Sequence, residues 1–431
     1  MLFNLPKKFE ILPDPQYIQP VPSIMAYQSN EILVIGLNPA FQATLHFENY
    51  QFGKVNRAFR KCNSVGGKGQ NFAIACAQYG ESDKVSVIQF VGGMTGRYIQ
   101  AFQEENNISH ISINTQKATR TCTTILDERT GEMTQLIEPA ARVEAAQSVQ
   151  LEKLVRDVIS NSPKIEAIAL CGTLPPGLTG STYTLIAQLK PPGVVLLLDA
   201  YQFPDCLLTG NVDILKINAE ESRLLASMGE DADLIEVGKK LHSMYRVRFI
   251  AVTNGPDQAC LFESVTLAHQ DGPRMLNITT YVIPPVLTVL SEMEDIESLP
   301  SSPRSYALPE ATGEPSVMHT VLKTQNHSGS SFTSFSCNRQ ANINGCNGGI
   351  NGTREIVINP LGAGDTCSSI FTLEYLDTLD AVSSFQHGLA AASASCLMVD
   401  YTSYFDVKIQ NAIYERIVRN TTNTPLVTVV E

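Results

Sequence analysis

The sequence predicts an α/β fold: a doubly wound, mostly parallel sheet with helices on both faces and a small β-sheet lid. Three observations carry this. Strand-sized apolar runs recur at Ile32–Leu37, Val85–Phe90, Ile165–Cys171, Val194–Leu198, Asp213–Ile217 and Phe249–Thr253. Stretches of helical period lie between several of them, including Ala145–Ile159 and Asp231–Met244. Buried strands alternating with amphipathic helices are what a parallel sheet covered on both faces requires. Two segments, 42–62 and 119–138, then break the rhythm. The first has short mixed runs around a turn at Phe52-Gly53. The second reads as a hairpin, Thr121–Leu126 and Met133–Ile137, about a turn ending in Gly131. Their antiparallel, Thr-rich character suits a small sheet projecting from the main one, either as a ligand cover or as an ordinary edge hairpin.

The remaining length divides unevenly. Residues 1–29 are Pro-rich and aperiodic and read as an irregular extension. Residues 30–425 form the main domain, interrupted at 287–354 by a low-complexity polar insertion (His-Ser-Gly-Ser-Ser, Asn-Gly-Cys-Asn-Gly-Gly) expected to be disordered. The net charge of −12 argues against nucleic acid or an anionic membrane as partner, but allows a local basic pocket. Ten cysteines include no Cys-x-x-Cys, and no matched His spacing completes a zinc site around Cys337 and Cys346. Free thiols in a reducing cytosol are expected. The start of the chain lacks a signal-peptide run, and its longest apolar stretches are strand-sized, so a cytoplasmic location is the expectation.

Two glycine motifs carry chemistry. In Asn359-Pro360-Leu361-Gly362-Ala363-Gly364-Asp365 a strand ends near Ile358 and a helix begins near Asp365. Unhindered amides at a helix N-terminus make an anion hole, and a neighbouring carboxylate can accept a hydroxyl proton as a phosphoryl group arrives. Helix capping by Asp365 is the plainer alternative. The second motif, Gly66-Gly67-Lys68-Gly69-Gln70-Asn71, opens an Ala-rich helix that closes at Gly80. It offers close backbone approach, a cation and an amide, or else only packing. A dinucleotide fingerprint fails because position 367 is Cys, and a P-loop fails because Gly69 follows Lys68.

Four further stretches fall in a telling order: Leu37-Asn38-Pro39-Ala40, Gly172-Thr173-Leu174-Pro175-Pro176-Gly177, Lys216-Ile217-Asn218-Ala219-Glu220-Glu221 and Thr253-Asn254-Gly255. With the two glycine motifs they make the chain resemble the PfkB branch of the ribokinase-like sugar kinases, over about 31–286 and 355–420. The group it is most similar to phosphorylates fructose 1-phosphate, tagatose 6-phosphate or fructose 6-phosphate.

That resemblance implies an ATP-dependent, Mg2+-requiring kinase. Asp365 would be the catalytic base, with Gly362, Ala363 and Gly364 as the anion hole. Gly66, Gly67, Lys68, Asn71, Arg120, Thr173 and Gln42 would bind the acceptor, Arg120 gripping its phosphate and Arg57 a weaker candidate. Lys216, Asn218, Thr253 and Gly255 would contact the nucleotide, and Asn218 and Glu221 would organise magnesium. The plainer reading of Asn218 and Glu221 is a helix cap with an acidic first turn. The partners implied are ATP and a sugar or sugar phosphate, with a homodimer compatible.

Three departures stand out. Gln42 replaces the Asp of the family's Asn-Pro-x-x-Asp, Pro360 stands where Thr is usual, and Gln258 replaces a glycine of the nucleotide loop. A kinase of an unphosphorylated sugar or nucleoside, and a non-catalytic sugar-phosphate sensor, remain the alternatives.

Overall fold

The computed structural model describes residues 31–256, 258–265, 275–293, 336–337, 354–355 and 359–428. The extension at 1–29, and most of the segment read as an insertion, lie outside the described residues. What is described within that segment includes the helix Val286–Glu292, in which Val289 and Leu290 are buried in the core. The boundary read at 287 therefore falls inside a core-packed helix.

The apolar runs form a ten-stranded sheet. From one edge its order is Thr422–Thr428, Met275–Val282, Gln258–Val265, Phe249–Asn254, Ile214–Asn218, Val195–Asp199, Ala167–Cys171, Ile32–Ile35, Val85–Val91 and Ser109–Asn114. The pairings from Phe249–Asn254 to Ser109–Asn114 are parallel, and those of the first four strands are antiparallel. The central strands feed two cores, because successive side chains point to opposite faces. Ile32 and Val34 join one core, with Phe72, Ile370 and Phe371, while Leu33 and Ile35 join the other, with Leu151, Val155 and Tyr183.

Strand Ile32–Ile35 lies between Ala167–Cys171 and Val85–Val91, so the chain departs from it in opposite directions. Crevices at the carboxyl ends of strands beside such a switch are the usual ligand sites of open α/β sheets. One helix start is set by a side-chain cap more than by periodicity. The helix read from Asp231 begins at Leu234, because Asp233 accepts from the amides of Ile235 and Glu236 at 2.9 and 3.2 Å.

The two rhythm-breaking segments form a separate four-stranded sheet, ordered Arg60–Gly66, Ala40–Phe47, Thr121–Asp127, Met133–Ile137. Its outer pairings are antiparallel as expected, but Ala40–Phe47 and Thr121–Asp127 run parallel. They come from separate excursions off the main sheet that leave in the same direction. Among the described residues no helix is long and apolar enough to cross a membrane.

Candidate active site

The small sheet is rooted at the ends of the main strands. Asn38 and Pro39 precede strand Ala40–Phe47, Gly67 and Lys68 follow strand Arg60–Gly66, and Arg120 precedes strand Thr121–Asp127. The roots surround a cavity of about 110 Å³ lined by Gly36, Asn38, Lys68, Gly69, Gln70, Arg120, Cys171, Gly172 and Thr173. Gly69 allows the helix Lys68–Gln78 to sit against the first strand, since a Cβ on it would fall 2.4 Å from the Gly36 Cα. Gly67, at φ 108°, makes the turn into that helix.

The second glycine motif closes the other side of the site. Gly362 adopts the left-handed conformation and caps the helix Ala363–Thr378, which begins two residues before the expected Asp365. The Ala363 amide donates to the Pro360 carbonyl at 3.2 Å, while those of Gly364 and Asp365 lie in the first turn, where no intrahelical acceptor exists. Asn359 fixes the loop from behind. Its Oδ1 accepts from the Leu361 amide at 3.0 Å, and its Nδ2 donates to the Val399 carbonyl at 3.0 Å.

Across the site, Asn71 Nδ2 donates to Asp365 Oδ2 at 2.8 Å, bringing the two glycine motifs together. Thr402 holds Asn71 in turn, donating to its Oδ1 at 2.9 Å. Lys68 Nζ lies 2.7 Å from Asp199 Oδ1 and 3.7 Å from Glu221 Oε1, and Ser368 Oγ donates to Asp199 Oδ2 at 2.6 Å.

Sequence reasoning missed Asp199, Ser368 and Thr402. A signal for Asp199 did exist: it ends the strand Val195–Asp199 on the same face as Leu197, which belongs to the core under helix Ala363–Thr378. The register Ile214↔Leu197 and Leu215↔Leu198 leads on to Lys216 beside Asp199, both facing that helix. A Cβ on Gly364 would lie 2.8 Å from Lys216 Nζ, so this buried ammonium reaches the Gly362-Ala363-Gly364 loop.

Charge separates the two aspartates. Burial, then the charge of Asp199, pushes the Asp365 pKa up to about 6, against the pull of Lys68, the Asn71 hydrogen bond and Lys216. Asp199 moves the other way. Burial would raise its pKa, but Lys68 and Lys216, with the hydrogen bonds from Lys68 and Ser368, hold it below the usual carboxylate range. Lys68 stays protonated, since Asp199, Asp365 and Glu221 outweigh the burial that would lower its pKa. The pair thus combines a carboxylate held below the usual range with one raised to about 6.

The other residues singled out from the sequence fall into three groups. Arg120 donates to the Asn38 and Pro39 carbonyls at 3.0 and 3.4 Å and lines the cavity. Thr173 accepts from Asn38 Nδ2 at 2.9 Å and lines it too. Among the residues expected to contact the nucleotide, Thr253 pairs with Asn218 across parallel strands, and Gly255, at φ 57°, turns the chain toward strand Gln258–Val265. Gln258, which replaces the family's next glycine, pairs with Asn254 in the adjoining antiparallel strands.

Four candidates make other contacts than those expected of them. Gln42 is buried in the small sheet, donating to Thr124 Oγ1 at 2.7 Å, and does not line the cavity. Asn218 and Glu221 form a reciprocal cap, Oδ1 accepting the Glu221 amide at 2.8 Å and Oε2 the Asn218 amide at 3.0 Å. Arg57 is exposed on the small sheet's loop.

Comparison with known proteins agrees with this architecture. The profile of the pfkB family carbohydrate kinases matches residues 30–277. Solved structures of similar fold include Escherichia coli phosphofructokinase-2 in complex with substrates and products, at 19% identity and TM-score 0.64, covering 90% of this chain and 100% of that one. The tetrameric inhibited form of the same enzyme matches at 18% identity and TM-score 0.62, over 90% and 100% of the two chains. A candidate 1-phosphofructokinase of Thermotoga maritima matches at 15% identity and TM-score 0.61, over 91% and 98%. At such identities the structures establish a shared fold, a large mostly parallel sheet flanked by helices with a small separate sheet. The profile spans more than half of the sequence, and the protein belongs to the pfkB family of carbohydrate kinases.

Proposed function

We propose that the protein transfers the γ-phosphoryl group of ATP to a hydroxyl of a sugar phosphate of the fructose 1-phosphate, tagatose 6-phosphate or fructose 6-phosphate type. The observation that carries this reading is the buried Asp365 carboxylate, held by Asn71 beside the open amides of a helix N-terminus, with its pKa at about 6. A base of that strength is ionised at neutral pH yet basic enough to accept the hydroxyl proton as the bond to phosphorus forms. The amides of Gly364 and Asp365 and the Lys216 ammonium face the charge on the transferring group. Lys68, Arg120, Asn38 and Thr173 bind the acceptor. The lining cations Lys68 and Arg120 are what favour a phosphorylated one, because a guanidinium pairs well with phosphate.

The nucleotide lies toward Lys216, Thr253 and Gly255 at the carboxyl ends of adjacent strands. Asp199 and Glu221 offer carboxylate oxygens on either side of Lys68. Such an all-oxygen set suits Mg2+ held largely through water, with Asn218 fixing Glu221 and not ligating directly. Bound Mg2+ would neutralise phosphate charge. The small sheet covers the acceptor and excludes water as a competing nucleophile. A homodimer joined through this sheet is supported by its exposed Phe52, Val55, Phe59, Leu136 and Ile137.

The test is ADP release from ATP and Mg2+ across hexoses, pentoses, hexose phosphates and nucleosides. Turnover concentrated on ketohexose phosphates is expected. Turnover only on unphosphorylated sugars or nucleosides contradicts the acceptor, and ligand binding without turnover contradicts the activity.

A further inference from the structure

A second cluster of reactive side chains lies where the small sheet meets the main domain. The register Thr44↔Cys62 and His46↔Arg60 puts His46, Arg60 and Cys62 on one face of the small sheet. Asp400 approaches that face from the segment between helices Ala381–Ser395 and Val407–Arg419. The ligand atoms of His46, Cys62 and Asp400 all lie within 4.8 Å of one another.

His46 is fully buried, and its two nitrogens differ. Nδ1 is 2.9 Å from Glu128 Oε1 and 3.1 Å from Arg60 NH2; a carboxylate contact of this kind orients the ring in metal sites. Nε2 lies 2.9 Å from Asp400 Oδ1, but the two are not aligned as a hydrogen bond, and both atoms are buried without another hydrogen-bond partner. The two form an ion-pair contact outside hydrogen-bond alignment, which leaves a buried imidazole nitrogen and a buried carboxylate oxygen side by side as donors for a shared third partner.

We propose that His46 Nε2, Cys62 Sγ and Asp400 Oδ1 form a binding site for a divalent transition metal ion of the Zn2+ type. One imidazole, one thiolate and one carboxylate are the donors such ions take, with a fourth tetrahedral position left for water; Mg2+ and K+ disfavour this set. Charge balances as well. A thiolate and the carboxylates of Asp400 and Glu128 offset the ion together with Arg60, which holds the other oxygen of Asp400 at 2.5 Å. Arg60 crowds the site, with its NH1 3.5 Å from Cys62 Sγ and its NH2 3.1 Å from His46 Nδ1, so metal binding requires this one-third-exposed side chain to move away. A proton is the competing occupant. Burial opposes a charged ring, yet Asp400, Cys62 and Glu128 push the His46 pKa up to about 10.

The position gives the ion a consequence. Two residues beyond Asp400, Thr402 holds Asn71, and Asn71 holds Asp365. An ion bound here ties the small sheet to the segment that positions the candidate base. The site itself does not depend on the kinase reading.

The test uses the full-length protein, stripped with EDTA and titrated with Co2+ as a spectroscopic probe. One equivalent should bind with tetrahedral ligand-field bands and a thiolate-to-cobalt charge-transfer band. Cys62→Ser should abolish the latter, and Asp400→Asn should weaken affinity at least tenfold. Glu128→Gln should weaken it roughly ten- to a hundredfold. Asp365→Asn should leave binding unchanged. X-ray absorption of the Zn2+-loaded wild type, which needs no variant to fold, should show one sulfur at about 2.3 Å. No stoichiometric uptake, an unchanged thiolate band in Cys62→Ser, or a shell of nitrogen and oxygen alone overturns the proposal.

Discussion

Asn71 and Asp365 are 294 residues apart in sequence and 2.8 Å apart in the folded chain. The amide can only donate through Nδ2, so the bond makes Asp365 Oδ2 an acceptor and leaves Oδ1 free of it. Because Asn71 is itself held by Thr402, the carboxylate is oriented by two successive side chains.

Removing the proposed base while keeping its shape should separate chemistry from binding. Asp365→Asn should lower kcat by about 10²–10⁴-fold, with ATP affinity changed only a few-fold. Thr402→Val should lower kcat more modestly at unchanged KM for ATP. Steady-state kinetics and nucleotide titration check both; substantial turnover by Asp365→Asn would remove it as the base.

The acidity of the site gives a directional prediction. Asp365 must be ionised to accept a proton, so kcat/KM should fall as pH drops through about 6. Asp199 raises the Asp365 pKa and Lys68 lowers it. Asp199→Asn should therefore move the acid limb to lower pH, and Lys68→Met should move it higher. Shifts in the same direction would show that the limb reports another group.

Gly69 tests packing. Gly69→Ala places a methyl group 2.4 Å from the Gly36 backbone, where neither helix nor strand can yield cheaply. A loss of about 1–3 kcal/mol is expected from such overpacking, read as a lower denaturant midpoint. An unchanged midpoint would contradict the close approach.

The parallel half of the main sheet was legible because strands buried on both faces read as unbroken apolar runs. Its antiparallel extension was not. Met275–Val282 contains Asn277, Thr279 and Thr280, and its neighbour Thr422–Thr428 lies far along the chain, so no local pattern announces either. At the site, the glycine motifs were legible because backbone approach is a local property of sequence. Asp199, Ser368 and Thr402 depend on strand register and on a helix from the opposite end of the chain. Gln42 could be named as a departure, but that its amide turns to Thr124 follows from how Ala40–Phe47 and Thr121–Asp127 pair.

The most direct measurement of the central claim compares one ketohexose with and without its remote phosphate, in the wild type and in Arg120→Ala. A charge-assisted contact to phosphate is worth about 1.5–3 kcal/mol. The wild type should therefore prefer the phosphorylated acceptor in kcat/KM by at least tenfold, and Arg120→Ala should lose most of that preference with little change in KM for ATP. Equal use of both acceptors by the wild type, or a preference that survives in Arg120→Ala, would contradict the account.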